Sequence, residues 1–302
     1  MRKFLINVNL PSYKESFSPD DIASKKFIEV NSYEELLEKI SEIAFLNPHL
    51  NLYYRGQNSE YPNDEGKPQL LSCFHRDICK FRSHKYTIDF SKNNYREIYL
   101  STVLPCFVNF FLCSLKKELD IKGEPYRFIE RFPESIWAIL QHYEYPTPLL
   151  DVTKSIKIAA SFATRDYNKE ENKQPTENGY LYVLGFPELN GYISYFTYEA
   201  IIIARLLGTC PPQAKRPHLQ DGYLVGTIPH TSTKNQNKDF RHCLVAKFKI
   251  SESEKFWHNS ISKYMEKKEV YPNDDPVEKI AVSLEGSFKK LCEKYGIKVT
   301  EK

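Results

Sequence analysis

Residues 147–164 read TPLLDVTKSIKIAASFAT, and this stretch decides the fold class. The segment TPLLDV (147–152) is short and mostly apolar, which is typical of a buried strand. The segment SIKIAASFAT (155–164) follows at once and indicates a helix of small residues. Thr153, close to Ser155, is placed to cap that helix. The pattern predicts a strand that runs directly into a helix.

A second predicted strand carries an Arg-Gly pair at its end. The alternation in LNLYYRGQ (residues 50–57) indicates a strand that ends at Arg55–Gly56. Before it, Ser32–Glu35 is a capping box that opens a helix to about Phe45.

The remaining pattern mixes helices and strands, with no 20-to-50-residue repeat and no Gly/Ser-rich linker. Helices are predicted at 70–82, 94–119, 133–142, 197–208, from a capping box at 251–254 to about 267, and 276–295. Further strands are predicted at 179–186, 221–228 and 242–250, and surface loops at 57–68 and 168–178. The chain is therefore predicted to be one α+β domain over residues 31–302, preceded by an irregular extension at 1–30.

The composition is that of a globular protein. Of the 302 residues 41% are hydrophobic and 27% are charged, which excludes wholesale disorder. The 21 tyrosines suit semi-polar clefts and interfaces, because Tyr packs on one side and hydrogen-bonds on the other. The net charge is only +3 and lysines are interleaved with acidic residues, so nucleic-acid binding is not indicated.

The cysteines and the first residues predict a cytoplasmic location. No CxxC pair occurs among the seven cysteines, at positions 73, 79, 106, 113, 210, 243 and 292. Several lie in apolar runs, where thiols act as small hydrophobic groups. The apolar stretch near the start is too short for an export signal, so we expect a reducing compartment.

Residues 99–115 form the most apolar segment. They are fewer than the roughly 20 residues of a membrane span, and polar residues interrupt them. We expect a buried helix kinked near Pro105 and no membrane association.

Metal and standard nucleotide motifs are not indicated. The spacing of Cys73, His75, Cys79 and His84 does not match the usual zinc patterns, so no metal is expected. The sequence also lacks Ser-His-Asp hydrolase, P-loop and Gly-rich dinucleotide fingerprints.

Arg55 is the residue best suited to bind an anion. Its guanidinium offers a planar fork for phosphate or carboxylate, and Gly56 would let a ligand approach the backbone. The alternative is a structural ion pair between Arg55 and Asp151. His142 could act as an acid-base group or a ligand donor, or it could simply cap its helix.

Three stretches resemble the FRG domain, a bacterial family with a Phe/Tyr-Arg-Gly signature. They are Tyr54–Gln57 with Leu70–Ser72; Trp137–Tyr143 with Pro146–Thr147, Leu149–Thr153 and Ala159–Ala163; and Arg216–Tyr223. Tyr271–Asp274 is similar to the Phe-Pro-Asp phrase that ends the family pattern. The resemblance spans about residues 35–285, with a motif core at about 50–230 and a C-terminal strand and helices to 302.

The chain departs from the family pattern at three positions. The Gly after His-Tyr is Glu144, the Arg after Pro-Thr is Pro148, and the Trp before Thr is Val152. The missing arginine removes a cation from the expected anion site.

The order of these motifs is similar to the layout of ADP-ribosyltransferases, which implies a split β-sheet core with a helical insertion. By that resemblance Arg55 would hold the pyrophosphate of NAD and Thr153 would contact the nicotinamide ribose. Gln220 would occupy, on a late strand, the position of a glutamate that stabilises an oxocarbenium-like transition state. The Gln220 amide lacks the negative charge of that glutamate. Asp221 is adjacent but would point to the opposite face of the strand. Glu199 is another candidate acid.

The resemblance implies an NAD- or nucleotide-directed site, with NAD as substrate or ligand. Arg55, Thr153 and Gln220 would be catalytic, and the predicted ligand-binding residues are Tyr54, Gly56, Gln57, His142, Asp151, Phe162 and Tyr223. The protein would then be an ADP-ribosyltransferase or NAD glycohydrolase-like enzyme, and a toxin or phage-defence effector. The alternative is a non-catalytic module that senses a nucleotide or a protein partner. A third hypothesis is RNA processing through a basic face.

Overall fold

The computed structural model describes residues 27–61, 69–92, 94–121, 124–167, 176–197, 200–227 and 239–301. Most of the predicted N-terminal extension, parts of the two predicted loops and Glu199 lie outside these residues.

The described residues form a mixed α+β protein, which confirms the predicted class. The strands are β1 Ile28–Val30, β2 Asn51–Gln57, β3 Ile78–Phe81, β4 Tyr86–Asp89, β5 Leu149–Thr153, β6 Asn178–Phe186, β7 Ile193–Phe196, β8 Ile201–Arg205, β9 Gly222–Thr227, β10 Leu244–Ser251 and β11 Val299–Glu301. The helices are α1 Tyr33–Leu46, α2 Tyr95–Ile98, α3 Leu104–Leu119, α4 Glu124–Arg131, α5 Pro133–His142, α6 Ile156–Thr164, α7 Leu206–Thr209, α8 Lys215–Leu219, α9 Ser253–His258, α10 Lys267–Val270, α11 Pro276–Ser283 and α12 Glu285–Lys294.

The chain folds into two compact units, each built from three segments. Unit 1 comprises Met1–Leu70, Val152–Glu188 and Asp239–Tyr271; unit 2 comprises Leu71–Asp151, Leu189–Lys238 and Pro272–Lys302. The boundary falls inside β5, so that strand contributes residues to both units.

Unit 1 contains a mixed sheet with strand order β1-β10-β6-β2. β1 runs parallel to β10, while the β10–β6 and β6–β2 pairs are antiparallel. β2 also pairs with β5 through Tyr54 and Thr153.

The start of α1 confirms half of the predicted capping box, because Glu35 bonds to the N–H of Asn31 and not to that of the cap residue Ser32. The Ser32 hydroxyl accepts a hydrogen bond from the Glu35 backbone N–H at 3.1 Å, and the Glu35 carboxylate accepts one from the Asn31 N–H at 2.9 Å.

Helix α6 packs on one face of this sheet because two glycines leave room for it. A Cβ on Gly56 would lie 1.8 Å from the carbonyl oxygen of Ala159, and one on Gly179 would lie 2.4 Å from that of Ala163. Small residues on the helix and no side chain on the strands let the two backbones meet. Ser155, and not Thr153 as predicted, caps the helix by accepting from the Ile158 N–H at 3.3 Å.

Unit 2 contains the antiparallel strands β9-β8-β7 and a separate three-stranded sheet of order β11-β4-β3. An aromatic cluster lies in its core: the ring of Phe107 lies 4.8 Å from those of Tyr145 and Phe288. Tyr99 lies 6.2 Å from Phe288.

The predicted long helix at 94–119 is confirmed as α2 and α3 joined by a π-helical turn at Tyr99–Val103. Phe107, Phe111 and Leu115 are buried in the core of unit 2, while Phe110 is 53% exposed. The Tyr95–Leu119 stretch is long and apolar enough to cross a membrane by length and composition, and one third of its most apolar window is buried.

The prediction of a helix at 197–208 is wrong. Residues 201–205 form β8, paired along its length with β9, and only Leu206–Thr209 is helical. Three successive isoleucines favour a strand, because branching at Cβ restricts χ1 and suits a pleated surface.

Three other helix predictions need correction. Residues 70–82 contain a short 3₁₀ turn and β3 rather than a helix. The predicted capping box at 251–254 is absent, since α9 begins after Glu252 in a left-handed conformation and ends at His258. The predicted 276–295 helix is two helices, α11 and α12, divided at Leu284.

The cysteines also differ from expectation. Cys73 and Cys79 form a disulfide, so the expectation of unpaired thiols is wrong for these two. Cys106, Cys113, Cys210, Cys243 and Cys292 are free thiols. The cytoplasmic location stays a prediction.

Candidate functional site

Strand β2 places Arg55 on a polar face of the unit 1 sheet. Arg55 pairs with Tyr182 of β6, and Tyr182 pairs in turn with Lys247 of β10. Gln57, Tyr180 and Lys249 form the next row in the same way. Directly paired residues project from the same side of a sheet, so the two rows share one face. We call this surface the Arg55 face.

Two buried polar atoms beside Arg55 lack a hydrogen-bond partner within the described part of the chain. They are the hydroxyl oxygen of Tyr182 and the amide oxygen Oε1 of Gln57. Tyr182 is fully buried and Gln57 is 6% exposed. A buried polar group without a partner costs roughly 1–3 kcal/mol, so both atoms would gain from a ligand.

The Arg55 face is rich in positive charge. Lys154 Nζ lies 4.0 Å from the centre of the Tyr53 ring and donates to Asn51 Oδ1 at 3.2 Å. Lys247 is buried and ion-paired with Glu60 at 2.6 Å.

The ionisation of Tyr182 reflects this setting. Burial raises the pKa of the Tyr182 hydroxyl and the Glu60 carboxylate adds to the rise, while the Arg55 guanidinium opposes it. The hydroxyl therefore stays protonated at neutral pH and can donate a hydrogen bond.

Thr153 and Tyr54 lie on the opposite face of the same sheet. They are direct partners across β2 and β5, and Tyr54 is the neighbour of Arg55 on the strand. Successive residues of a strand point to opposite sides, so Thr153 faces away from the Arg55 face. The Thr153 hydroxyl accepts from the Ser155 N–H at 3.0 Å, in the turn that leads into α6. Burial raises the pKa of Tyr54 to about 12, and Tyr33 adds to the rise.

Two further predicted ligand residues have packing roles in unit 1. Gly56 provides the close approach of α6 described above, so its lack of a side chain is explained without a ligand. The Phe162 ring lies 5.3 Å from Tyr167 and 6.1 Å from Tyr271, in an aromatic cluster.

In unit 2, Asp151 and His142 belong to one hydrogen-bonded group. Gln141 Nε2 donates to Asp151 Oδ2 at 2.9 Å, and the Thr147 hydroxyl donates to Gln141 Oε1 at 3.0 Å. His142 Nδ1 lies 3.5 Å from Asp151 Oδ1. Burial lowers the pKa of His142 and outweighs the opposing effect of Asp151, so the imidazole is neutral at pH 7.

The departure from the family pattern at Glu144 has a structural counterpart. Glu144 has φ +62°, a left-handed conformation in which glycine is the unstrained residue. Its carboxylate bonds to Ser83 and pairs with Arg216 at 3.2 Å, and Arg216 is 8% exposed. Glu144 therefore combines a left-handed backbone conformation with an ion pair to Arg216.

Gln220 does not lie on a strand, which corrects the expected placement. It caps the C-terminal end of α8, with φ −91° and ψ −1°, and is 7% exposed. β9 begins two residues later at Gly222, where a Cβ would lie 3.3 Å from His142 Cε1. Tyr223 is paired with Arg205 of β8.

Sequence reasoning found Arg55 and Gln57 but missed Tyr182, Lys247 and Lys154. A signal was present, because Tyr180 and Tyr182 alternate with apolar residues in β6, as Lys247 and Lys249 do in β10. That alternation marks a polar sheet face.

The fold and this site define an α+β domain with one polar, basic sheet face and a small-residue helix packed on the other. In a comparison with protein families, the FRG domain family matches residues 51–172, a stretch that contains β2, β5 and α6. The chain therefore carries an FRG domain. No curated protein and no solved structure matches the chain.

Proposed function

We propose that the FRG domain binds a nucleotide of the NAD class, with the phosphates at the Arg55 face of unit 1. The observation that carries the proposal is the pair of buried polar atoms beside Arg55, Tyr182 Oη and Gln57 Oε1, that lack a partner among the described residues. The Tyr182 hydroxyl can donate to a phosphate oxygen, and the Gln57 amide oxygen can accept from a ribose hydroxyl.

The charges of the face support an anionic ligand. Arg55 presents a planar fork suited to phosphate, and Lys154 and Lys249 add positive charge at the edges. Lys247 is balanced by Glu60, and Lys249 lies 3.5 Å from the exposed Glu29. The aromatic bodies of Tyr53 and Tyr182 give the face its apolar floor.

Binding without turnover is the form of this function that the geometry supports better. Thr153 faces away from the Arg55 face, and its hydroxyl is engaged in the turn before α6. Gln220 is neutral and caps a helix. The residues expected to contact the nicotinamide ribose thus do not reproduce the arrangement that the ADP-ribosyltransferase layout implies. Enzymatic cleavage of NAD stays a prediction, as does a role as toxin, defence effector or sensor of a protein partner.

The test is calorimetric titration of the full chain with NAD and with ADP-ribose. We expect Arg55→Gln to weaken binding about tenfold or more, since a hydrogen bond to a charged group contributes roughly 1.5–3 kcal/mol. Tyr182→Phe, which removes only the hydroxyl, should weaken it about two- to tenfold. Lys255→Gln is the matched control, because Lys255 is an exposed cation on α9 that pairs with Glu252, the residue before this helix.

Two outcomes would refute the proposal: no heat of binding with either ligand, or equal affinities for the wild type and Arg55→Gln. Nicotinamide release, followed in the same samples, separates binding from catalysis. Release that depends on Arg55 would show that the site is an enzyme.

A further inference from the structure

A second arginine of unit 1, Arg165, lies directly after α6 in an aromatic setting. It is 9% exposed, and its guanidinium carbon lies 3.5 Å from the centre of the Tyr264 ring. Helix α6 packs on the sheet face opposite the Arg55 face, so Arg165 belongs to a different surface of unit 1.

The guanidinium of Arg165 has no acidic or hydrogen-bonding side-chain partner among the described residues. Its Nε is buried without a hydrogen bond, and its guanidinium stacks on Tyr264. Burial raises the pKa of the neighbouring Tyr167 hydroxyl, and the charge of Arg165 opposes that rise. A guanidinium carries five N–H donors, and charged side chains are rarely buried unless paired. Stacking on an aromatic ring contributes only about 0.5–2 kcal/mol.

The stacking on Tyr264 involves the face of the guanidinium and not its in-plane edge. Tyr264 covers a face of the planar guanidinium, whereas the N–H bonds point outward within its plane. An anion in that plane could accept two parallel hydrogen bonds without displacing the ring.

The neighbouring residues hold this arrangement in place. The Trp257 ring lies 6.2 Å from that of Tyr264, and Trp257 Nε1 donates to Thr164 Oγ1 at 2.8 Å. Next to Tyr264, the Met265 carbonyl accepts from the Tyr167 hydroxyl at 2.6 Å, and the Met265 N–H donates to Ser161 at 2.9 Å. Both ends of the contact are therefore anchored to α6.

We propose that Arg165 and Tyr264 form a second anion-binding site, which takes a phosphate group through the in-plane edge of the guanidinium. The site is separate from the proposed nucleotide site, and neither depends on the other. The phosphate is either free inorganic phosphate or part of a larger ligand.

The experiment uses Trp257 as a reporter. Only two tryptophans occur in the chain, so Trp137→Phe leaves Trp257, close to Tyr264, as the single indole. This variant is titrated with sodium phosphate, with ADP-ribose and with sodium acetate at constant ionic strength. We expect a saturable fluorescence change with phosphate, half complete at or below about 10 mM, and a weaker response to acetate, which carries a single negative charge. A tighter response to ADP-ribose than to phosphate would identify the larger ligand as the source.

Arg165→Gln should abolish the saturable change, and Arg165→Lys should weaken it about tenfold, because lysine lacks the planar fork. Arg55→Gln should leave the response to inorganic phosphate unchanged, which distinguishes this site from the proposed nucleotide site. As a second measurement, phosphate should raise the thermal midpoint of the unmodified chain and of Arg55→Gln, but not that of Arg165→Lys to the same extent.

The proposal is overturned if phosphate gives no saturable change, or if the same change persists in Arg165→Gln. If Arg165→Gln fails to fold, equal responses of the wild type and Arg165→Lys in fluorescence and in thermal midpoint overturn it as well.

Discussion

Gly56 is predicted to be indispensable for packing, and Gly56→Ala tests the contact between β2 and α6. The added Cβ would lie 1.8 Å from the Ala159 carbonyl oxygen and 2.7 Å from the Ala163 nitrogen, both backbone atoms of a helix. Relief requires a helix shift of more than an ångström, since real Cβ contacts are essentially never shorter than 3.0 Å. Overpacking of this kind costs about 1–3 kcal/mol and occasionally more, and a rigid backbone neighbour points to the upper end. We expect the free energy of unfolding to fall by about 3 kcal/mol.

The assay is urea denaturation, in the Trp137→Phe background, followed by circular dichroism and by the fluorescence of Trp257, which is hydrogen-bonded to the last residue of α6. Gly286→Ala is the matched control, because Gly286 lies in α12 with no atom near the added Cβ. That change should raise stability by up to about 1 kcal/mol, the helix propensity difference. A Gly56→Ala protein within about 0.5 kcal/mol of the wild type would refute the packing of α6 on β2.

Three further predictions concern buried polar groups. Burial opposes ionisation of Glu144, but Arg216 and Ser83 outweigh it and lower its pKa below the ordinary 4.5. The negative charge of Glu144 therefore stabilises the folded state above pH 4.5, and this stability is lost as the pH falls through the lower folded pKa. Glu144→Gln should have a smaller free energy of unfolding than the wild type at pH 7, and the difference should shrink in acid. Because burial lowers the pKa of His142 below 6.5, the unfolded chain binds a proton first, and stability should fall as the pH drops below 6.5 in the wild type but less in His142→Asn. Thr164→Val leaves the Trp257 indole N–H without its acceptor and should cost about 1–3 kcal/mol in urea denaturation.

Each of these variants has a matched control at an exposed position. Glu254→Gln, His258→Asn and Thr197→Val should each leave the free energy of unfolding at pH 7 within about 0.5 kcal/mol of the wild type. The ion-pair argument would be contradicted if the free energies of unfolding of the wild type and Glu144→Gln differed by the same amount from pH 7 to acid. Identical pH profiles for wild type and His142→Asn would show that His142 is not buried as a neutral group.

Local patterns were enough to predict much of the fold. The cap at Ser32, the end of β2 near Arg55 and the small-residue helix α6 follow from residue spacing and are observed close to their predicted bounds. The prediction failed at 197–208, where a helical spacing of apolar residues competed with a run of β-branched isoleucines that pairs with β9.

The site was harder to predict because strand register sets it. Arg55 and Gln57 were identified from one strand, but their neighbours Tyr182 and Lys247 come from strands more than 120 residues further along the chain. The separation of Thr153 from Arg55 depends on which residue of β2 it pairs with. No local motif encodes that pairing, and a shift by one residue would reverse the faces.

The seven residues of β2 point alternately to the Arg55 face and to helix α6. Substitutions at alternate positions should therefore have different effects. Every second substitution, at Tyr53, Arg55 and Gln57, is expected to alter ligand recognition, while those at Tyr54 and Gly56 alter only the amount of folded protein. A scan that records abundance and binding independently would show two interleaved profiles, each with a period of two. In the Arg-Gly signature, Arg55 therefore faces the proposed ligand, while Gly56 faces helix α6.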